Sequence, residues 1–242
     1  MTRHPVLFTA LLFFAGLLAA VPLYILGTAS GLDEDAAGAA ARIAVGLALL
    51  ALFRHGIAWR RSLRGLRWAY PALGVALYNA ALNASAGMPL RGAAELPYVL
   101  LLGLAPAVFE ETIFRGVAIA KLRAANNSDA RTLWLSALLF GAAHLTNVAG
   151  MSPPDVLLQT GYAVVIGLFL GAVYLKSGDI AAVILAHGCV DVSYRIFAAH
   201  SETAGLLSLT AFCLILLALT CYTLWLAGIV PFSGADAEEI ET

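Results

Sequence analysis

Charge is what this sequence has least of: 12% of its 242 residues are Asp, Glu, Lys or Arg. An ordinary soluble domain has roughly 25%. In its place stands 61% hydrophobic residues and a mean hydropathy of +0.87. No soluble fold of this size hides that much apolar surface, so lipid is the expected solvent for much of it. The net charge of −1 comes without the basic stripe that nucleic-acid binding needs, so no nucleic-acid partner is expected. Cysteine is scarce too. Cys189, Cys213 and Cys221 all fall in apolar runs, and an odd number so placed suits neither a disulfide framework nor a zinc cluster. They are expected as packing residues, because free cysteine behaves as a small hydrophobe. No Rossmann glycine pattern, phosphate-binding loop or long internal repeat is present, so a nucleotide site and a second folded domain are not expected.

What is there is a series of apolar runs, predicting an all-α, polytopic transmembrane helix bundle of about eight spans, one membrane-embedded domain over 1–242. The runs are 5–27, 37–53, 68–86, 96–123, 131–148, 156–175, 180–199 and 205–229. The first is longer than the roughly 7–15 apolar residues of a cleaved signal peptide and is read as a retained span. Trp68 and Tyr70 are expected as interfacial anchors. Asn79 and Asn83 share a helix face and suit interhelical hydrogen bonds, and Gly167 and Gly171 permit close helix contact. The Asn126–Asp129 stretch reads as a turn and cap. The short turn at Lys176–Asp179 predicts that spans six and seven are antiparallel neighbours. The eighth span has no charge and is expected at the periphery; the small, acidic tail from Ser233 (about 233–242) is expected to be disordered.

Eight spans put both termini on one side. With that side cytoplasmic, it holds eleven of the fourteen Lys and Arg, including Arg54, Arg60, Arg61, Arg64 and Arg67. The other side keeps Arg42, Arg91 and Arg195. Because Lys and Arg accumulate in cytoplasmic loops, a protein integral to the bacterial inner (plasma) membrane with cytoplasmic termini is the expectation.

The rare ionisable groups inside the apolar runs are the functional signal, since burying them in lipid is costly. Glu110 and Glu111 are adjacent in span four. Glu111 and Arg115 are one turn apart and predicted to pair, leaving Glu110, about 100° away around the helix, for another task. His144 follows Phe140 by one turn in span five, and His187 precedes Asp191 by one turn in span seven. A rise of about 1.5 Å per residue puts Glu110, His144 and His187 at similar mid-bilayer depth. Two glutamates with a single arginine leave a negative charge that helix gluing does not explain. Their chemistry suggests hydrolysis. A carboxylate shielded from bulk water can take a proton from a bound water, an imidazole can share that water and pass the proton to a leaving amine, and a second imidazole can donate to an oxyanion. There is no nucleophile elbow and no His-Glu-x-x-His helix. Ser136 and Ser193 lack the context of a nucleophile. No cofactor is expected, although Glu110, His144 and His187 could also form a catalytic three-ligand set for a divalent metal such as zinc.

Glu110-Glu111-x-x-x-Arg115, Phe140-x-x-x-His144 and His187-x-x-x-Asp191, in this order on three helices, resemble the motifs of the CPBP family. That family comprises type II CAAX prenyl endopeptidases and bacterial relatives, including bacteriocin-immunity proteins. The resemblance covers about 96–199, the protease-like core. It implies an intramembrane endopeptidase in which Glu110 activates water with His144 as partner, Glu111 and Arg115 support the site, and His187 with Asp191 stabilises the oxyanion. It further implies a membrane-anchored protein or peptide substrate in contact with membrane lipid, cut near its C-terminal anchor or lipidated end. The prenyl endopeptidases usually have asparagine where this chain has Asp191, and an ionised aspartate does not stabilise an oxyanion by itself. The alternative reading is a non-catalytic immunity or scaffold protein binding a peptide in the same polar cavity; a third is a proton-coupled transporter, which the lack of an inverted repeat or paired broken helices disfavours.

Overall fold

The computed structural model describes residues 4–59, 65–199 and 206–228 and is an all-α helix bundle. Arg3, Arg60, Arg61 and Arg64 of the charge count, and the tail from Ser233, lie outside the described residues. The helices are α1 (Pro5–Ala29), α2 (Glu34–Leu52), the short α3 (Leu66–Ala69), α4 (Pro71–Ser85), α5 (Leu96–Glu111), α6 (Ile119–Ala124), α7 (Asp129–Ala143), α8 (Pro153–Ser177), α9 (Ile180–Arg195) and α10 (Leu206–Leu226). A π-helical turn, Thr112–Ala118, joins α5 to α6, so Ala93–Ala124 runs as one 32-residue apolar rod.

Among the described residues, six helices are long and apolar enough to cross a membrane, not eight. The two that fall short are α4 and α9, with 15 and 16 residues, against the roughly 20 that a crossing takes. Proline shortens the first of these: Pro71 begins α4 and separates Trp68 from the helix it was expected to start. Lipid-facing surface accounts for the many outward apolar side chains, such as Leu11, Leu18 and Leu26 on α1. Cys213 and Cys221 also face outward and Cys189 is half-buried, so the expected packing role fails for two of three. In lipid an apolar side chain loses little by facing out.

Several local expectations hold. Ser128 caps α7, its Oγ accepting from the Arg131 N–H, after Asn126 turns the chain with φ 59°. Asn79 Nδ2 donates to Ser193 Oγ at 3.2 Å, linking α4 to α9. A Cβ on Gly167 would sit 3.2 Å from the Ala137 Cα, and one on Gly171 2.7 Å from Leu133, which is the close α7–α8 contact that those glycines permit. The expected pairing of spans six and seven is only partly met: α9 lies chiefly against α5 and α4 and touches α8 less. Ser136 and Ser193 are structural, donating to the carbonyls of Phe114 and Val190.

Two seams set the registers around α5. Along the first, α2 runs parallel to it: Tyr98 donates to Asp33 Oδ1 near one end, and Gly46 meets the Phe109 backbone further on, where a Cβ would stand 3.0 Å from Cα. Asp33 also caps α2 by accepting from the Ala36 N–H. That backbone bond, with Tyr98, holds its carboxyl below the usual carboxylate range. Its contribution to stability is therefore complete at neutral pH and is lost as pH falls through the lowered folded value. Along the second seam α9 runs antiparallel to α5, with Gly103 against Val192 and Gly188 against Leu104 and Ala107. A Cβ on Gly103 would lie 2.4 Å from Val192, so no larger residue fits, and Glu110 and His187 are brought together.

Candidate active site

The polar core is built outward from Glu111, which is fully buried with Arg115. Glu111 Oε1 accepts from Arg115 Nη1 at 2.7 Å, as the four-residue spacing predicts. The same oxygen also accepts from His187 Nδ1 at 2.8 Å, a bond between residues 76 positions apart. No local spacing announces this second bond. Arg115 is further held by the Gly167 carbonyl, 3.2 Å from Nη2, and its guanidinium carbon lies 4.2 Å from the centre of the Phe140 ring. Glu111 thus fixes two motifs at once, and its other oxygen, Oε2, has no hydrogen-bond partner among the described residues.

Phe140 gathers the remaining motif. Its ring stands edge-on to His144 and His187, with centroids 4.9 and 5.9 Å away. Its carbonyl oxygen lies 2.9 Å from His144 Nδ1. A carbonyl only accepts, so that nitrogen carries a proton and Nε2 of the neutral ring keeps its lone pair. His144 lies just past the end of α7, first in a 3₁₀ turn, His144–Ala149. The two histidines are therefore pinned alike, each donating through Nδ1 and leaving Nε2 free.

Nε2 of His187 looks toward two carboxylates: Glu110 Oε2 at 4.0 Å and Asp191 Oδ2 at 3.7 Å. Both distances exceed a hydrogen bond, so the expected His187–Asp191 pair is not a direct bond, and Glu111 is the residue that orients the ring. Glu110 and Asp191 keep 21% and 27% of their side-chain surface exposed, whereas Glu111 and Arg115 keep none. This separates the two glutamates physically: one is sealed into an ion pair, the other opens on space. Glu110, His144, His187 and Asp191 share a cavity of about 620 Å³, lined also by Asn79, Tyr162 and the arginines Arg42 and Arg195. No ion pair or hydrogen bond joins Glu110 to His144 among the described residues, so the two share the cavity without a direct bond.

The π turn after Glu111 is a further feature that spacing did not announce. Such widened turns occur often at functional sites, and this one ends the α5 ladder at the residue that holds His187. Pro106, inside α5 and lining the cavity, also went unremarked. Among the described residues, no group of three or more His, Cys, Asp or Glu side chains is arranged to hold a metal ion.

Residues 92–193 match the family of type II CAAX prenyl endopeptidase Rce1-like proteins. All six residues singled out above, Glu110, Glu111, Arg115, His144, His187 and Asp191, fall inside the matched segment. No curated protein and no solved structure matches the chain. The family match supports a CPBP-family intramembrane protease, a CAAX-type endopeptidase in general. Together with the six apolar helices it supports an integral membrane protein.

Proposed function

We propose that the chain hydrolyses a peptide bond near the C-terminal anchor or lipidated end of a membrane protein, with Glu110 as the base. The observation that carries this reading is the 4.0 Å gap between Glu110 Oε2 and His187 Nε2 in a cavity that also holds His144. One oxygen atom between those two makes a hydrogen bond to each, since two bonds of about 2.8 Å meeting at an oxygen span such a gap. Glu110 takes a proton from water as the water oxygen adds to the scissile carbonyl carbon. The resulting oxyanion accepts from His187 Nε2, which donates only while the ring carries both protons. The C–N bond then breaks, and the proton held by Glu110 passes to the leaving amine by way of a water shared with His144 Nε2. Glu111 and Arg115 act by positioning, since Glu111 bonds to both His187 and Arg115 and neither residue lines the cavity. Asp191 favours the doubly protonated ring and does not itself contact the oxyanion. The reaction written this way calls on no metal.

Two substitutions test these roles on any substrate that the wild-type protein cleaves. His187→Ala is expected to lower kcat by about 10²–10³, the usual effect of losing one oxyanion donor. Asp191→Asn is expected to lower kcat less than His187→Ala does, because the ring keeps its bond to Glu111 and loses only the neighbouring charge that favours its second proton. A large kcat loss in Asp191→Asn with little in His187→Ala would reverse the assignment. Dialysis against a chelator is expected to leave cleavage unchanged; loss on chelation with recovery on adding zinc would replace the metal-free mechanism.

A further inference from the structure

Arg42 has no role in the chemistry above, yet it stands in the wall of the same cavity. It lies in the middle of α2, about 12 Å from the Glu34 end at 1.5 Å per residue. A cation at that depth is expensive unless paired, and Arg42 forms no ion pair or side-chain hydrogen bond among the described residues. It borders a second, smaller cavity with Glu34 and Asp35 but pairs with neither. The parallel seam of α2 on α5, from Asp33–Tyr98 to Gly46–Phe109, puts Arg42 level with Ala105 and Pro106. That is about one helical turn from Glu110, toward the Leu96 end. On the antiparallel seam, Arg195 lies beyond the Gly103–Val192 contact, again toward the Leu96 end, and it too lines the cavity and forms no ion pair among the described residues. Both arginines therefore sit on the same side of Glu110. Asp191, level with Leu104 on the same seam, lies among them, so this end of the cavity carries two guanidiniums against one carboxylate.

Resting on the proposed hydrolytic reading, the geometry points to a carboxylate-binding subsite at Arg42, assisted by Arg195, that takes the free C-terminal carboxylate of the peptide substrate. Guanidinium is the side chain best matched to a carboxylate, through two parallel hydrogen bonds. The excess of guanidinium at that end then orients the peptide, with its terminus at the arginines and the carbonyl to be attacked at Glu110. A phospholipid phosphate has the same charge, but headgroups lie at the interface and Arg42 lies near mid-span. An anion at that depth arrives as part of a substrate.

The test uses a dodecanoylated apolar hexapeptide, as the free acid and as the C-terminal amide, with the full chain in phosphatidylcholine nanodiscs. Binding is measured in a Glu110→Gln background and hydrolysis in wild type. The free acid is expected to bind at least about tenfold tighter than the amide, the scale of one charge-assisted hydrogen bond. Adding Arg42→Gln is expected to remove that preference while leaving amide affinity unchanged, and Arg42→Lys to keep part of it. No binding of either peptide, equal binding, or a preference that survives Arg42→Gln overturns the subsite. So does an Arg42→Gln effect confined to retention of phosphatidylglycerol in mixed nanodiscs, which identifies a lipid headgroup. A clear preference with no hydrolysis by wild type would remove the hydrolytic reading and leave the subsite, whereas equal hydrolysis of acid and amide would do the reverse.

Discussion

Glu110→Ala is expected to lower hydrolysis by about 10³ or more while the protein still inserts and accumulates. General-base catalysis alone typically contributes 10²–10⁴, and this substitution also removes one of the two carboxylates that line the cavity beside His187 Nε2. It should be mild for folding. Glu110 makes no close ion pair, its nearest being the 4.0 Å approach of His187, and its carboxylate is partly exposed, so removing it leaves no buried charge stranded. Kinetics of the purified variant, read beside its thermal unfolding, separate the two effects. Unchanged turnover would assign the base elsewhere, and lost turnover with a collapsed structure would make Glu110 a folding residue.

Glu111→Ala is expected to do the opposite: to unfold the site first. Arg115 would remain fully buried without its 2.7 Å partner, and His187 would lose the acceptor for Nδ1. Stranding one member of a buried ion pair costs about 3–5 kcal/mol. The Gly167 carbonyl and the Phe140 ring, which also contact Arg115, are neutral and do not replace a carboxylate. Glu111→Leu combined with Arg115→Leu removes both charges and is expected to recover much of that stability, since replacing a buried pair by apolar residues is often neutral or better. Activity should not return, because nothing then holds His187. Unfolding and turnover measured on the same three proteins check this. A Glu111→Ala variant as stable as wild type would show that the pair is not what holds the three helices.

Both predictions depend on a division between the glutamates that the sequence made half legible. The four-residue spacing of Glu111 and Arg115 identifies their bond, because neighbours on one helix face are set by helical periodicity alone. The bond from His187 to the same oxygen depends on how α9 lies on α5, and no local pattern encodes a contact 76 residues apart. Asp191 was the nearest carboxylate to His187 along its own helix, so spacing favoured it over the residue that holds the ring. The bundle itself was legible in composition, but the span count was not. Pro71 and the early end of α9 at Arg195 cut two runs that hydropathy alone carries on. Hydropathy also says nothing of which apolar faces turn inward, so Cys213 and Cys221 could not be placed. The widened turn at Thr112–Ala118 has no evident signature in its residues, and the structure offers no local reason for it beyond the contacts it serves.

The most direct test of the central claim compares the C-termini of membrane proteins in cells carrying the wild-type protein and cells carrying Glu110→Ala at equal abundance. Mass spectrometry of C-terminal peptides is expected to find at least one membrane protein shortened in the first cells and intact in the second, with the shortened form returning when wild type is restored. Identical C-termini in both would contradict the claim that this polar core hydrolyses peptide bonds.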